Sequence, residues 1–252
     1  MTIYGPQDPQ DMALVERNLK EVKDVYDRNG ISVFAGDNMM VFGRYLTYAR
    51  DKAFMDAFQD FAVDPEDSAK IWRVHTFCWA ARTAMGVEGD FVECGVYKGL
   101  YSATMARYLD FGNSERHLWL YDTFEGLSKK YSSAEEFEVI NKNYRNEGLH
   151  ELVLERFAPY DNVTVTKDVV PDAFEQAVPD KIAFLHVDLN AASAEIAVLE
   201  ALIDRVMPRG VILLDDFARQ DMPGLCEAHF NWWRDKGVQV LELPTGQGLV
   251  IK

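Results

Sequence analysis

The sequence predicts an α/β protein built on a doubly wound, mostly parallel sheet whose last strand is antiparallel. From Gly89 onward, short apolar runs alternate with stretches of helical periodicity, which is typical of parallel strands joined by crossover helices. The chain then ends in two strand-like runs separated by the turn sequence 244–248, which predicts a hairpin. With 252 residues, of which 48% are hydrophobic, the chain is long enough for one full core with an elaboration.

Helical periodicity predominates through about residue 85. In DMALVERNLKEVKDVYDR the apolar residues recur at three and four, and the helix stop signal Asn29-Gly30 follows. Helices are also predicted in the apolar and aromatic stretch 38–58 and in the stretch AKIWRVHTFCWAARTAMG. We therefore expect residues 1–85 to form an N-terminal helical cap or lid, and residues 86–252 to form one compact ligand-binding domain.

Five apolar runs predict the parallel strands. In chain order they are DFVECGV, HLWLYD, NVTVTKD, KIAFLHVDL and GVILLDDF. Helices are expected from Gly99 onward, in an insert that extends to about Phe157, over 171–178 and 193–207, and around Asn231-Trp232-Trp233. The two strands of the closing hairpin bring the expected sheet to seven strands.

The composition limits the expected partners and compartment. Acidic residues number 41 against 26 basic ones, a formal net charge of −15, which argues against nucleic acid and suits a cationic ligand or a metal ion. Three scattered cysteines without a CxxC pair indicate reduced thiols in a cytoplasmic protein. No apolar run reaches about 18 residues, the length of a membrane span, so no membrane partner is expected.

Acidic residues end all five predicted parallel strands. They are Glu93, Asp122, Asp168, Asp188 and the pair Asp215-Asp216. Ligands of open α/β sheets bind outside the carboxyl ends of the strands. One such acid alone is more often a helix cap or a solvated loop residue, but acids at five consecutive strand ends predict a site.

The first strand–helix turn, ECGVYKG, indicates the kind of ligand. Its glycines are spaced G-x-x-x-G, so the dinucleotide fingerprint G-x-G-x-x-G is absent. Glu93, two residues before Gly95, suits an ammonium group better than a pyrophosphate, and Asp122 is placed to accept hydrogen bonds from ribose hydroxyls. A ligand with an amino acid at one end and a nucleoside at the other is S-adenosylmethionine, and its sulfonium charge suits an acidic pocket.

The adjacent carboxylates Asp215 and Asp216 follow four apolar residues, and Asp188 ends the preceding strand. Three carboxylates at neighbouring strand ends repel one another, and a divalent cation would relieve that repulsion. Oxygen ligands favour Mg²⁺, with Mn²⁺ or Ca²⁺ as substitutes. The alternative is that one of the pair merely caps the next helix.

Four motifs in this order resemble the macrocin O-methyltransferase (TylF/MycF/NovP-related) family of class I S-adenosylmethionine-dependent methyltransferases. They are GDFVECGVYKG, YDTFEGL, KIAFLHVDL and GVILLDDF, and the resemblance covers about residues 73–252. It implies a Rossmann-like fold and a transferase that uses S-adenosylmethionine and magnesium. The implied acceptor is a hydroxyl of a small molecule, such as a sugar of a natural product.

Carried over residue by residue, the resemblance implies a set of cofactor positions. They are Glu93, Gly95, Gly99, Ser102, Asp122, Thr123, Phe124 and Asp168. Glu93 and Gly95 would lie at the methionine end, and Gly99 and Ser102 would shape and cap the turn. Asp122 and the two residues after it would hold ribose and adenine, with Asp168 near adenine.

The resemblance assigns metal binding to Asp188, Asp215 and Asp216, and Asp188 is also the expected general base. His186 is a second candidate base, although a lone strand histidine is more often a packed, hydrogen-bonded residue. Where the family often shows D-x-D-x-Y, this chain has Asp188-Leu189-Asn190-Ala191-Ala192, without the second acid and the tyrosine.

Two other functions stay open: a non-catalytic or differently specialised S-adenosylmethionine-binding relative, and a metal-dependent hydrolase. A dinucleotide oxidoreductase is disfavoured by the glycine spacing. In the N-terminal stretch, Met39, Met40, Val41 and Phe42 would form an exposed apolar patch, which predicts a homodimer.

Overall fold

The computed structural model describes residues 8–141, 144 and 147–252, in two compact units, Met1–His75 and Thr76–Lys252. The predicted roles of residues 1–85 as a cap and of 86–252 as the ligand-binding domain stay predictions. In the described residues, no helix combines the length and the hydropathy needed to cross a bilayer. The three cysteines are buried free thiols.

The first unit combines helices with a small hairpin. Its elements are α1 (Pro9–Arg28), β1 (Val33–Gly36), β2 (Met39–Phe42), α2 (Lys52–Phe61), α3 (Pro65–Ala69) and the start of α4 (Ile71–Ala84). Helix α1 begins where the Asp8 carboxylate accepts a hydrogen bond from the Gln10 amide at 2.7 Å, and it ends before Asn29 as the sequence predicts.

The β1–β2 hairpin corrects the expectation that this part of the chain is entirely helical. Its two-residue turn, Asp37-Asn38, has φ values of 50° and 55°. A turn with this backbone conformation has a twist that matches the right-handed twist of the two strands that it joins. This Asp-Asn pair between apolar runs was the signal for a hairpin. Residues 39–42 are partly buried, with Phe42 packed 4.4 Å from Tyr26, so the apolar patch is partly covered and the homodimer stays a prediction.

The second unit carries the large sheet. Its elements are β3 (Asp90–Cys94), α5 (Leu100–Tyr108), β4 (Leu118–Asp122), α6 (Ala134–Val139), α7 (Leu149–Phe157), β5 (Val163–Lys167), β6 (Ile182–Val187), α8 (Ala192–Leu202), β7 (Val206–Leu214), α9 (Pro223–Asp235), β8 (Leu241–Glu242) and β9 (Gly248–Ile251). In the described residues the sheet has seven strands in the order β5-β4-β3-β6-β7-β9-β8. Strands β3 to β7 pair in parallel, and β9 is antiparallel to both neighbours. The predicted sheet is confirmed.

Two element boundaries differ from the prediction. Helix α8 ends at Leu202 rather than at Met207, and strand β7 begins at Val206, because the chain turns through a short 3-10 segment in between. The predicted short helix over 171–178 is a single 3-10 turn, Asp172–Glu175. The first difference lies at the sheet edge opposite the predicted site, and the second lies beside the site. Neither moves the carboxyl ends of the strands from where the sequence predicts them.

Both faces of the sheet are covered, because alternate strand residues point to opposite sides. On one face, Phe91 and Phe184 pack edge-on at 5.5 Å, and Phe77 of α4 lies 5.0 Å from Phe184. On the other face, Val92 and Leu185 belong to a buried cluster with residues of α8 and α9. From β3 the chain first adds β4 and β5 on one side of the sheet and then β6 and β7 on the other. The carboxyl ends of β3 and β6 therefore border the crevice where ligands of such sheets bind.

Candidate active site

A cleft lies at the carboxyl ends of β3, β4, β5 and β6. Its volume is about 690 Å³ when the open solvent at its entrance is included. Six of the predicted site residues line it: Gly95, Asp122, Thr123, Phe124, Asp168 and Asp188. Tyr97, Tyr144 and Asn190 also line the cleft, and none of them was predicted.

The glycine turn lies tightly against the loop that follows β6. Gly95 has φ +91°, and a Cβ added to it would stand 1.8 Å from the carbonyl oxygen of Asp188. Parallel pairing brings the two loops together, since the Asp188 amide donates to the Cys94 carbonyl at 2.8 Å. Glycine at position 95 is therefore required by a backbone contact within the protein, in addition to any approach of a ligand.

Asp122 holds the glycine turn in shape. One carboxylate oxygen accepts from the Val96 and Tyr97 amides at 2.6 and 2.8 Å, and the other accepts from the Phe124 amide at 2.7 Å. A carboxylate can accept about four hydrogen bonds, so one position remains for a ligand donor. Tyr97 and Phe124 have φ values of 50° and 54°, a backbone conformation that costs energy outside glycine and that these hydrogen bonds help to maintain.

Asp168 and Thr123 also line the cleft, at the carboxyl ends of β5 and β4. The Asp168 carboxylate accepts from the Val169 amide at 2.7 Å and from the Gln176 side chain at 2.6 Å. The Thr123 hydroxyl donates to the Gly126 carbonyl. Between the lining residues Ser128 and Ser132, the Lys130 ammonium and the Tyr131 hydroxyl both reach Asp172, the first at 2.6 Å and the second at 2.7 Å. These contacts join the loop after β4 to the segment after β5.

Glu93, Gly99 and Ser102 do not line the cleft. Glu93 is 2% exposed, accepts a hydrogen bond from the Ser102 hydroxyl, and lies 3.0 Å from Nδ1 of His186. Gly99, at φ +74°, begins helix α5 without a side-chain cap. Ser102 thus binds Glu93 rather than the end of the helix. These contacts favour a role for Glu93 in positioning the strand end over direct contact with a cofactor.

His186 links Glu93 to the carboxylates of β7. It is fully buried between Phe77 and Tyr101, and its Nε2 lies 3.7 Å from Asp215 Oδ1, the distance of an ion pair rather than a hydrogen bond. Burial opposes its charged form, yet Asp215 and Glu93 together raise the pKa of His186 to about 10. His186 is therefore a packed residue between two acids, and it does not line the cleft.

Asp188, Asp215 and Asp216 converge at the ends of β6 and β7. Each offers a carboxylate oxygen within 4.8 Å of the other two. Burial raises the pKa of Asp188 well above its ordinary value, and the charges of Asp215 and Asp216 raise it further. Asp215 and Asp216 are buried while Asp188 is partly exposed and lines the cleft, so Asp188 belongs to both features.

Neutral and cationic side chains orient the three carboxylates. Gln247 of the β8–β9 hairpin donates to Asp215 at 2.8 Å, and Arg219 donates to Asp216 at 3.2 Å. Asn190 donates its side-chain amide to Asp188 Oδ1 at 2.9 Å and accepts from the Tyr144 hydroxyl at 2.9 Å. These contacts hold the three carboxylates in place at the ends of β6 and β7.

Sequence reasoning missed the residues that support this arrangement. Asn190 stands where the family pattern has an acid, which was a usable signal. Glu195 and His229 form a fully buried pair, and Glu195 reaches the backbone of the loop after β6. These two residues are far apart in the chain and lie on separate helices, and no spacing pattern brings them together.

Comparison with known proteins places this geometry in a family. The family model of macrocin-O-methyltransferase (TylF) matches residues 71–240, more than half of the chain. A curated relative, the 8-demethyl-8-(2,3-dimethoxy-alpha-L-rhamnosyl)-tetracenomycin-C 4'-O-methyltransferase of Streptomyces olivaceus, is 27% identical over 151 residues, which is 56% of this chain. The chain spans 58% of the length of that relative.

Solved structures share the fold at low identity. The O-methyltransferase NovP matches with a TM-score of 0.60 and 20% identity over 72% of this chain and 80% of its own. The calicheamicin methyltransferase CalS11 matches with a TM-score of 0.58 and 15% identity over 81% of this chain and 92% of its own. The SAH-bound methyltransferase PaMTH1 of Podospora anserina matches with a TM-score of 0.53 and 12% identity over 99% of this chain and 98% of its own.

The fold, the four motifs and the family match agree with one another, and the resemblance inferred from the sequence is confirmed. The chain belongs to the macrocin-O-methyltransferase (TylF) family, a family of class I S-adenosylmethionine-dependent O-methyltransferases.

Proposed function

We propose that this protein transfers a methyl group from S-adenosylmethionine to a hydroxyl of a small molecule, with a divalent cation held by Asp188, Asp215 and Asp216. The acceptor class that we propose is a sugar of a glycosylated natural product, by analogy with the rhamnosyl acceptor in the name of the Streptomyces olivaceus relative. The observation that carries the proposal is that Asp188 belongs both to the wall of the cleft and to the carboxylate cluster.

The cleft suits the cofactor. It lies at the carboxyl ends of the parallel strands, where ligands of such sheets bind, and the glycine turn after β3 borders it. Asp122 retains capacity to accept one more hydrogen bond, which a ribose hydroxyl would donate, and Asp168 lines the same cleft. Phe124 is buried beside Asp122 and offers an aromatic surface to a base. When bound, S-adenosylmethionine supplies an electrophilic methyl group, whose bond to sulfur breaks as the acceptor oxygen bonds to its carbon.

The three carboxylates suit a hard divalent cation. Their oxygens lie within 4.8 Å of one another, and burial together with the charges of Asp215 and Asp216 raises the pKa of Asp188. All-oxygen ligation favours Mg²⁺ or Mn²⁺. A bound cation supplies positive charge that offsets these negative charges and favours the ionised form of a hydroxyl placed beside it.

The protein itself must hold the acceptor in line with the methyl group and remove the proton from its hydroxyl. Asp188 is our proposed base, because its carboxylate lines the cleft in which the acceptor hydroxyl would lie. Asn190 donates to one of its oxygens and so fixes the orientation of the carboxylate. Asp215 and Asp216 would contribute the negative charge that holds the cation beside Asp188.

Calorimetric titration with S-adenosylmethionine tests the cofactor proposal. We expect saturable one-site binding in the wild type and a loss of at least about tenfold in affinity in Asp122→Ala, since this change removes a charged hydrogen-bond partner, typically worth about 1.5–3 kcal/mol. Asp122→Asn keeps an acceptor oxygen and should lose less. The control is Asp161→Ala, an exposed acid before β5. Absence of binding in the folded wild type would contradict the proposal.

Thermal unfolding with and without Mg²⁺ tests the cation proposal. At 100 times its dissociation constant, a ligand that binds only the folded state stabilises it by about 2.7 kcal/mol, so the wild-type melting temperature should rise with Mg²⁺. Asp215→Asn should abolish most of this rise, while its amide oxygen can still accept from Gln247. The exposed acid Asp204 provides the control, Asp204→Asn, which should respond as the wild type does. Equal responses of Asp215→Asn and wild type would rule out Asp215 as a ligand.

A further inference from the structure

Glu195 of α8 and His229 of α9 form a buried pair that the proposed reaction does not use. Both side chains are 0% exposed, and Oε2 of Glu195 lies 2.6 Å from Nε2 of His229. Nδ1 of His229 has no hydrogen-bond partner in the described part of the chain. A buried carboxylate and imidazole are costly to desolvate, so the pair calls for an explanation other than stability alone.

The other oxygen of Glu195 holds the backbone of the loop after β6. Oε1 accepts from the Leu189 amide at 3.0 Å and from the Asn190 amide at 3.1 Å. Asn190 has φ 56°, a conformation that asparagine tolerates but that costs energy unless it is held. Its side chain then donates to Asp188 Oδ1 at 2.9 Å. Through two amides, Glu195 therefore holds the backbone of Asn190, whose side chain binds Asp188.

Capping of helix α8 does not account for this contact. The first amide of the helix, that of Ala192, is satisfied by the Glu136 carboxylate of α6 at 2.9 Å. Glu195 lies one turn into the helix and reaches back past its start, to the two residues that directly follow Asp188. The contact thus acts on the loop and not on the orphan amides of the helix.

We propose that Glu195, held by His229, is a positioning residue for Asp188, which it fixes toward the cation site through the Leu189 and Asn190 amides. This inference rests on the proposed function of Asp188 as a cation ligand. Outer partners of metal ligands commonly affect metal affinity about 10- to 100-fold when they are removed. Glu195 should have an effect of this size although it lies outside the carboxylate cluster.

The test is calorimetric titration of the full chain with Mn²⁺ alone. Glu195→Ala should weaken Mn²⁺ binding about 10- to 100-fold. Glu195→Gln loses the same charge but keeps an oxygen toward the two amides, so it should restore most of the affinity. Glu200→Ala on the exposed side of the same helix removes one negative charge and should bind as the wild type does. Should Glu195→Ala not fold, Glu195→Asp withdraws the carboxylate by one methylene and should weaken binding to a smaller extent.

Amide hydrogen exchange gives a second readout that does not depend on the cation. The Leu189 and Asn190 amides should lose protection in Glu195→Ala and Glu195→Asp but not in Glu195→Gln or Glu200→Ala. Wild-type Mn²⁺ affinity in Glu195→Ala, or equal weakening in Glu195→Gln and Glu195→Ala, would overturn the inference. If the wild type binds no Mn²⁺, the cation proposal fails. Exchange then decides the positioning claim, and unchanged protection in Glu195→Ala overturns it.

Discussion

Asp188→Asn is expected to lower kcat for methyl transfer about 100- to 10,000-fold, the range that general bases contribute. Asparagine matches aspartate in size and still offers an oxygen to Asn190, whose donor lies 2.9 Å from Asp188 Oδ1. The change therefore removes a proton acceptor and a charge while the loop stays in place. The measurement is turnover of labelled S-adenosylmethionine with a glycosylated natural-product acceptor at saturating Mg²⁺.

Two controls make the Asp188→Asn result specific. Asp204→Asn alters an exposed acid and should leave kcat unchanged. Titration with S-adenosylmethionine should show nearly wild-type affinity in Asp188→Asn, because the contacts proposed for the nucleoside are made by other residues. Wild-type kcat in Asp188→Asn would show that another group takes the proton.

Gly95→Ala is expected to destabilise the fold by about 3–5 kcal/mol, the range of the largest effects of single substitutions. The added Cβ would stand 1.8 Å from the Asp188 carbonyl oxygen, and the backbone at φ +91° is unfavourable for alanine in any case. Relief of this clash must separate the turn after β3 from the loop after β6. Urea unfolding measures the change in the free energy of unfolding.

Gly224→Ala is the matched control for Gly95→Ala. Gly224 lies in helix α9, and a Cβ there would meet no atom within 4 Å. Alanine is a better helix former than glycine by about 1 kcal/mol, so this variant should be unchanged or slightly more stable. A Gly95→Ala protein as stable as the control would mean that the two loops do not pack as the structure describes.

The sequence predicts the sheet and the acidic edge because both depend on local patterns. Alternating apolar runs and helices specify parallel strands, and parallel strands bring their carboxyl ends together. Asp122, Asp168 and Asp188 consequently line one cleft, and Asp188 meets Asp215 and Asp216, without any knowledge of packing. The β1–β2 hairpin was missed because periodicity outweighed the Asp37-Asn38 turn signal.

The partners of these acids are not predictable from local patterns. Glu93 is at a strand end, yet Ser102 and His186 occupy its carboxylate, which depends on the register between β3 and β6. Asp122 is engaged by three backbone amides that only the folded turn presents. The Glu195–His229 contact requires two helices to pack side by side. Which acids face the cleft is thus a property of the tertiary structure.

The contact between Gly95 and the Asp188 carbonyl also limits how this protein can diversify. No side chain fits between them, so the turn after β3 and the loop after β6 can only change together. A substitution at position 95 alone should be eliminated by selection. The exposed ion pair between Lys130 and Asp172 is different, since it can be exchanged residue by residue at little cost to stability. Sequence change should therefore begin at exposed contacts of this kind, while the turn after β3 and the loop after β6 are inherited together.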